Sequence, residues 1–167
     1  MEKQTFSRLQ AVAFVILRVI IGWHFLYEGI AKMLKPNWSA AGYLLQSRGM
    51  FAGIFHGMAA NQNVLDVVNQ LNMWGLTCIG LGLVLGCFTR LASVAGILVV
   101  VLFYICNPPF VGYFYSIPME GNYLIINKNL VEAAGLLVVI VTDSGKFLGI
   151  DQIIHRLLSK SVHVQAA

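Results

Sequence analysis

Uninterrupted apolar runs of about twenty residues constrain this chain more than any other feature. They cover residues 9–34, 64–86, 91–106 and 123–141. A helix of about that length is what the hydrocarbon core of a bilayer demands. Barrel strands would instead alternate in polarity over segments of about ten residues, and no such alternation is present. The charge content agrees: 58% of the residues are apolar and 11% charged, where a water-surrounded domain carries about 25% charged residues. A length of 167 residues suits a single domain. The pattern predicts an all-α membrane protein, a four-transmembrane-helix bundle.

The connecting segments carry their own signals. Residues 35–63 are less apolar, contain Pro36, Gly42 and Gly49, and still hold Trp38, Tyr43, Leu44, Phe51 and Phe55. That mixture predicts short helices lying in the membrane interface. Residues 107–122, NPPFVGYFYSIPMEGN, begin with two adjacent prolines, which exclude a regular helix at that point. Residues 147–160 place Ile150, Ile153, Ile154, Leu157 and Leu158 opposite Gln152, His155, Arg156 and Lys160, the pattern of an amphipathic helix lying on the membrane surface. Lys3, Arg8, Arg90, Lys146, Arg156 and Lys160 gather on one side, against Lys32, Lys35, Arg48 and Lys128 on the other. The positive-inside rule then puts both termini in the cytoplasm and the aromatic loops outside, with the chain in the inner (cytoplasmic) membrane. The first apolar stretch is too long for a cleavable signal, and no small-residue cleavage site follows it.

The informative residues are charges inside these apolar spans. At about 100° per residue, Arg18, His24, Glu28 and Lys32 share one face of the first span, while Trp23 and Tyr27 point away. Gly22 and Gly29 border that face. Asn122, Lys128, Asn129 and Glu132 fall within an arc of about 120° on the fourth span. In the second span Asn69 and Asn72 lie together near the outer end, with Asp66 close by. A central charge costs about 2.5–3.5 kcal/mol on insertion, so these groups are expected to pair: Glu132 with Arg18 or His24, and Glu28 with Lys32 or Lys128. Arg18, His24, Glu28, Lys32, Asn72, Asn129 and Glu132 are thus the candidate lining of a ligand or proton pocket between helices, opening outward. Intramembrane charges mark functional sites by default. The competing reading makes them polar glue that fixes helix register.

Several classes find no support. There is no GxSxG, Walker A, GxGxxG or HExxH. The net charge of +4 is scattered without a basic run, so no nucleic-acid partner is expected. Cys78, Cys87 and Cys106 form no CxxC and read as small packing residues. His24, Glu28 and Glu132 make a poor ligand set for a metal, and none is expected. Gly82 with Gly86 and Ala92 with Gly96 are small-residue pairs suited to close helix contact, which leaves room for homo-oligomers.

Three stretches resemble one family. LRVIIGWHFLYEGIAKML (17–34) is similar to the first helix of DoxX-family membrane proteins. GLGLVLGCFTRLASVAG (80–96) is similar to the family's junction between second and third helices, with a turn at 86–90 that ends on Arg90. NKNLVEAAGLLVV (127–139) resembles the fourth helix, and LGID (148–151) the closing phrase of many members. One departure stands out: where many members carry a Glu early in the second helix, this chain reads LNMWGLTCIG (71–80), with Asn72 and Thr77 as the polar residues. The resemblance implies an accessory membrane subunit of a quinone-linked redox or oxidative-stress system. Its partners are membrane lipids and a redox protein that carries the redox centre, because this chain has no flavin, haem or iron–sulfur motif. The site residues it implies are Arg18, Glu28 and Lys32, Arg90 at the turn, and Asn129 and Glu132. Whether the chain is itself catalytic stays open. A quinone head group would sit near His24, Glu28 or Asn129, with its tail beside Phe25 and Phe103. The alternative is a non-enzymatic scaffold or assembly factor acting through its outer aromatic loop at Phe110, Tyr113 and Phe114.

Overall fold

The computed structural model describes residues 6–116 and 124–152. Among them there are helices and no strand. The first helix, α1 (Arg8–Leu34), starts at a capping box: Gln10 N donates to Ser7 Oγ, and Ser7 N donates back to Gln10 Oε1. These bonds satisfy amides that have no partner inside the helix. The next segment forms two short helices, α2 (Ala41–Leu45) and α3 (Ala52–Ala60). Then α4 (Gln62–Leu85) begins where Asn61 accepts from Asn63 N and Val64 N, and stops at Gly86, whose φ of +65° is left-handed. Glycine tolerates that geometry without steric cost. After a three-residue turn, α5 (Thr89–Cys106) runs until Asn107 and two prolines halt it. The last long helix, α6 (Lys128–Thr142), is capped by Asn127 and leads to a 3-10 turn, Ser144–Lys146.

Three of these helices, α1, α4 and α5, are long and apolar enough to cross a membrane. Residues 123–141 were expected to form a fourth span of the same kind. The helix there begins only at Lys128, because the Asn127 side chain accepts from Leu130 N and fixes the start. Its 15 residues rise about 22 Å, short of a hydrocarbon core about 30 Å thick. Most of the expected amphipathic tail helix, from residue 153 on, lies outside the described residues, as do residues 117–123.

The long helices pack in a circuit, α1 on α4, α4 on α5, α5 on α6 and α6 back on α1. The α1–α4 seam is the most extensive, and it is closed by glycine. A Cβ on Gly80 would meet the Leu26 backbone, and one on Gly29 the backbone and hydroxyl of Thr77, all closer than 3 Å. Only hydrogen fits there, so the two backbones touch. Inside the circuit lies an apolar core that includes Ile21, Phe25, Ile79, Leu83, Leu136 and Val139. A second cluster, Ala40, Leu44, Phe55, Leu65 and Cys106, seats α2 and α3 on the end of the bundle. The outward faces stay apolar: Ile16, Ile20, Trp23, Tyr27 and Ile30 on α1, and Leu71, Trp74 and Leu85 on α4, are exposed. A surface so apolar needs lipid around it. The chain is a multi-pass membrane protein.

Candidate functional site

Four-residue spacing on α1 stacks His24, Glu28 and Lys32 above one another on a face turned inward. Opposite them, α6 presents Asn129 and Glu132, and α4 presents Asn72. These six residues line one cavity of about 760 Å³ at the end of the bundle that carries α2 and α3. That volume is within the usual range for a small-molecule site. His24 Nδ1 is in close polar contact with Glu132 Oε1, which joins α1 to α6. Lys32 Nζ donates to Glu28 Oε2 at 2.5 Å and lies 5.7 Å from the centre of the Trp38 ring. Asn72 Oδ1 is buried without a hydrogen-bond partner. Asn69, expected beside Asn72, is used structurally: its Oδ1 accepts from Ala40 N at 2.8 Å and holds the start of α2.

The lining also takes in residues that the sequence reading placed elsewhere or passed over. Trp38 and Tyr43 come from the first connecting segment, Lys128 from the polar arc of the expected fourth span, and Lys35 and Asn127 join them. Tyr43 Oη donates to Phe103 O at 3.1 Å, and its ring meets the Phe103 ring edge-on. Burial pushes the Tyr43 phenol up to about 12, so it stays protonated and a donor. The lower wall is apolar, formed by Phe25, Leu76, Val100 and Phe103.

Arg18 is not in this cavity, which corrects its expected place among the pocket residues and its expected pairing with Glu132. Arg18 is 1% exposed. Nη1 donates to Ser144 O at 3.0 Å and Nη2 to Leu148 O at 2.7 Å, at the opposite end of the bundle. Gly86 makes room for it, since a Cβ there would meet Arg18 Nη1 at 2.9 Å. The same end is tied again by Asp151. Its two carboxylate oxygens accept from Phe88 N at 2.8 Å and Thr89 N at 2.9 Å, capping α5 from 62 residues away. Partial burial acts to raise the Asp151 pKa, but the Thr89 and Phe88 donors and the Arg18 charge outweigh it and hold the carboxyl below its usual range. Arg90, expected as a structural turn residue, sits in the first turn of α5 and pairs through Nε with Asp143 Oδ1 at 2.6 Å. Being largely exposed, that pair adds little stability.

A family model for DoxX matches residues 13–107, more than half of the chain. The chain belongs to the DoxX family. No curated protein and no solved structure matches it. The DoxX match takes in most of α1 and all of α4 and α5, and with them Arg18, His24, Glu28, Lys32, Asn72 and Arg90. Asn129 and Glu132 lie beyond the matched residues. Among the described residues no group of three or more His, Cys, Asp or Glu side chains is arranged to hold a metal.

Proposed function

We propose that this DoxX-family protein is a four-span accessory subunit of a quinone-linked redox or oxidative-stress system in the inner membrane. In this reading α6 is the fourth span, both termini are cytoplasmic, and the cavity opens outward to take a quinone head group. The observation that carries the reading is the juxtaposition, in one cavity, of a His24–Glu132 pair with an apolar wall of Phe25, Leu76, Val100 and Phe103. A quinone is an amphiphile of the same kind, with polar oxygens on a flat ring and an apolar tail. The lining fits it: the unpartnered Asn72 Oδ1 offers an acceptor to a hydroxyl, and Lys128 and His24 offer donors to a carbonyl. When bound, the quinone supplies the two-electron, two-proton chemistry, and a partner protein supplies the redox centre. This chain's part is to position the ring, to keep bulk water from it, and to hold a proton between His24 Nδ1 and Glu132 Oε1.

The test is extraction in mild detergent, followed by mass spectrometry of bound lipids and co-purifying proteins. Near-stoichiometric quinone, or a flavin- or haem-bearing partner, is the expected result. Phospholipid alone, together with unrelated membrane proteins, would replace this reading with the scaffold reading. One observation favours that second reading: Val111 and Phe114 in the segment after α5 stand 71% and 84% exposed. If the loop is a docking surface, Phe114→Ser releases bound clients while Glu132→Gln does not.

A further inference from the structure

We infer that the cavity is a one-ended vestibule, open to water only at the end that carries α2 and α3, and that Arg18 and an apolar belt close the other end to protons and ligands. The inference rests on the cavity and spans of the reading above, not on the ligand being a quinone.

The polar groups of the long helices are sorted by depth. On α1, His24, Glu28 and Lys32 reach the cavity, while Arg18 is six residues back, about 9 Å along the axis. Between the two levels α1 buries Ile21 and Gly22. On α6 the buried residues after Glu132 are Ala133, Leu136 and Val139, and the next is Thr142 at the far end. On α4 the descent from Asn72 passes Leu76, Ile79, Gly80 and Leu83 before Gly86. Thr77, at the level of Gly29, is spent on its own helix, its hydroxyl donating to Met73 O at 2.8 Å. On α5, Gly96 fills the same layer, where a Cβ would meet Leu136 Cδ1 at 2.9 Å, and Ser93 is buried with no hydrogen-bond partner for Oγ. Leu83, Leu136 and Val139 have no solvent exposure. A proton moves through protein along continuous hydrogen bonds, and a layer about two helical turns thick without them breaks the path.

Arg18 stands directly behind this layer. A guanidinium does not lose its proton in proteins. Its hydrogen bonds go to the neutral carbonyls of Ser144 and Leu148, and no direct ion pair among the described residues includes it, although the Asp151 carboxylate is near enough to offset part of its charge. A fixed positive charge of this kind repels protons and cations from the inner side, as in pores where an Arg excludes them. Arg18 is thereby assigned a selectivity role that its sequence position beside the pocket residues conceals.

The test is cysteine accessibility in the full chain, with Cys78, Cys87 and Cys106 changed to Ala. Single variants Asn72→Cys and Asn129→Cys probe the cavity, Ala133→Cys probes the belt, and Gly53→Cys on α3, where a Cβ meets nothing within 4 Å, marks the face. Right-side-out and inverted vesicles are treated with membrane-impermeant sulfonatoethyl methanethiosulfonate. The expected result is labelling of both cavity cysteines from the Gly53→Cys face at least about tenfold faster than from the other, with Ala133→Cys protected from both. Labelling from the opposite face, from neither face, or at Ala133→Cys overturns the inference. If a cysteine variant does not fold, the unmodified protein in liposomes with an entrapped pH dye decides. Under an imposed pH gradient its proton leak should equal that of protein-free liposomes, and a larger leak overturns the closure. One-sided labelling without quinone in the purified protein would remove only the ligand reading.

Discussion

Asp151→Ala tests whether the short segment after α6 is a structural clasp. The substitution removes two acceptors, the carboxylate oxygens bound by Phe88 N at 2.8 Å and Thr89 N at 2.9 Å. It leaves the backbone bond from Asp151 N to Gly86 O in place. Replacing a helix N-cap by Ala costs about 1 kcal/mol, up to about 2, and a carboxylate at a helix N-terminus adds about 0.3–1 kcal/mol. The sum is about 2 kcal/mol. Asp151→Asn keeps a neutral acceptor and should cost about half that. For a chain of this size about 1 kcal/mol moves the melting temperature by about 2–4 °C. Thermal unfolding in mild detergent at neutral pH should therefore show a Tm about 4–8 °C lower for the Ala variant. The pH dependence has a definite sign. The Asp151 pKa is depressed in the folded protein, so its contribution is complete above the ordinary carboxylate value of about 3.9 and disappears as pH falls through the lower folded value. The gap between wild type and Asp151→Ala should be constant near neutrality and shrink below about pH 4. An unchanged Tm, or a gap that widens on acidification, would refute the clasp.

Gly80→Ala forces a methyl group against the Leu26 backbone and should destabilise by about 1–3 kcal/mol. Gly75→Ala, where a Cβ meets nothing within 4 Å, should gain about 1 kcal/mol from helix propensity, and the two melting curves should move in opposite directions. Glu132→Gln breaks the pair with His24. Because His24 is partly exposed, the expected cost is about 1 kcal/mol, below the range for fully buried pairs, with weaker binding of a quinone analogue followed by Trp38 fluorescence. Tyr43→Phe loses the bond to Phe103 O and should cost about 1 kcal/mol, read as faster proteolysis of the segment that carries α2.

Three of the four expected spans, and the grouping of polar residues on α1, are legible in the sequence because both follow from local periods. Residues four apart on a helix face the same way, so spacing alone groups His24, Glu28 and Lys32. The same rule misplaces Arg18, which shares their azimuth but not their depth. Side chains on a helix lean toward its N-terminus, so the guanidinium reaches away from Glu132 and toward Ser144 and Leu148. The Asp151 cap is not legible, because nothing local links a carboxylate to a helix start 62 residues earlier. Trp38 and Tyr43 stand out only as interfacial aromatics. Their part in the cavity wall depends on Asn69 and Asn107 holding α2, through bonds to Ala40 N and Tyr43 O. The seam glycines are legible in part. Gly22 and Gly29, which border the polar face of the first span, both meet the α4 backbone within 3 Å, whereas on α4 it is Gly80, outside the Gly82–Gly86 pair, that meets the α1 backbone.

The charged side chains of the α1 interior face are used differently at the two ends of the bundle, and the contrast bears on the proposed function. At the Arg18 end two donors of the guanidinium and both oxygens of Asp151 are spent on backbone groups from other elements. Such bonds rigidify, because moving any element strands a buried charge. At the α2–α3 end the acids bind side chains, His24 with Glu132 and Lys32 with Glu28, while Asn72 Oδ1 binds nothing. Side-chain pairs can be exchanged for a ligand's groups without unwinding a helix, whereas backbone partners cannot. If the charges served only to fix helix register, the economical arrangement would be the one found at Arg18, repeated at both ends. A cavity with replaceable partners at one end and a clasp at the other suits the binding site proposed above.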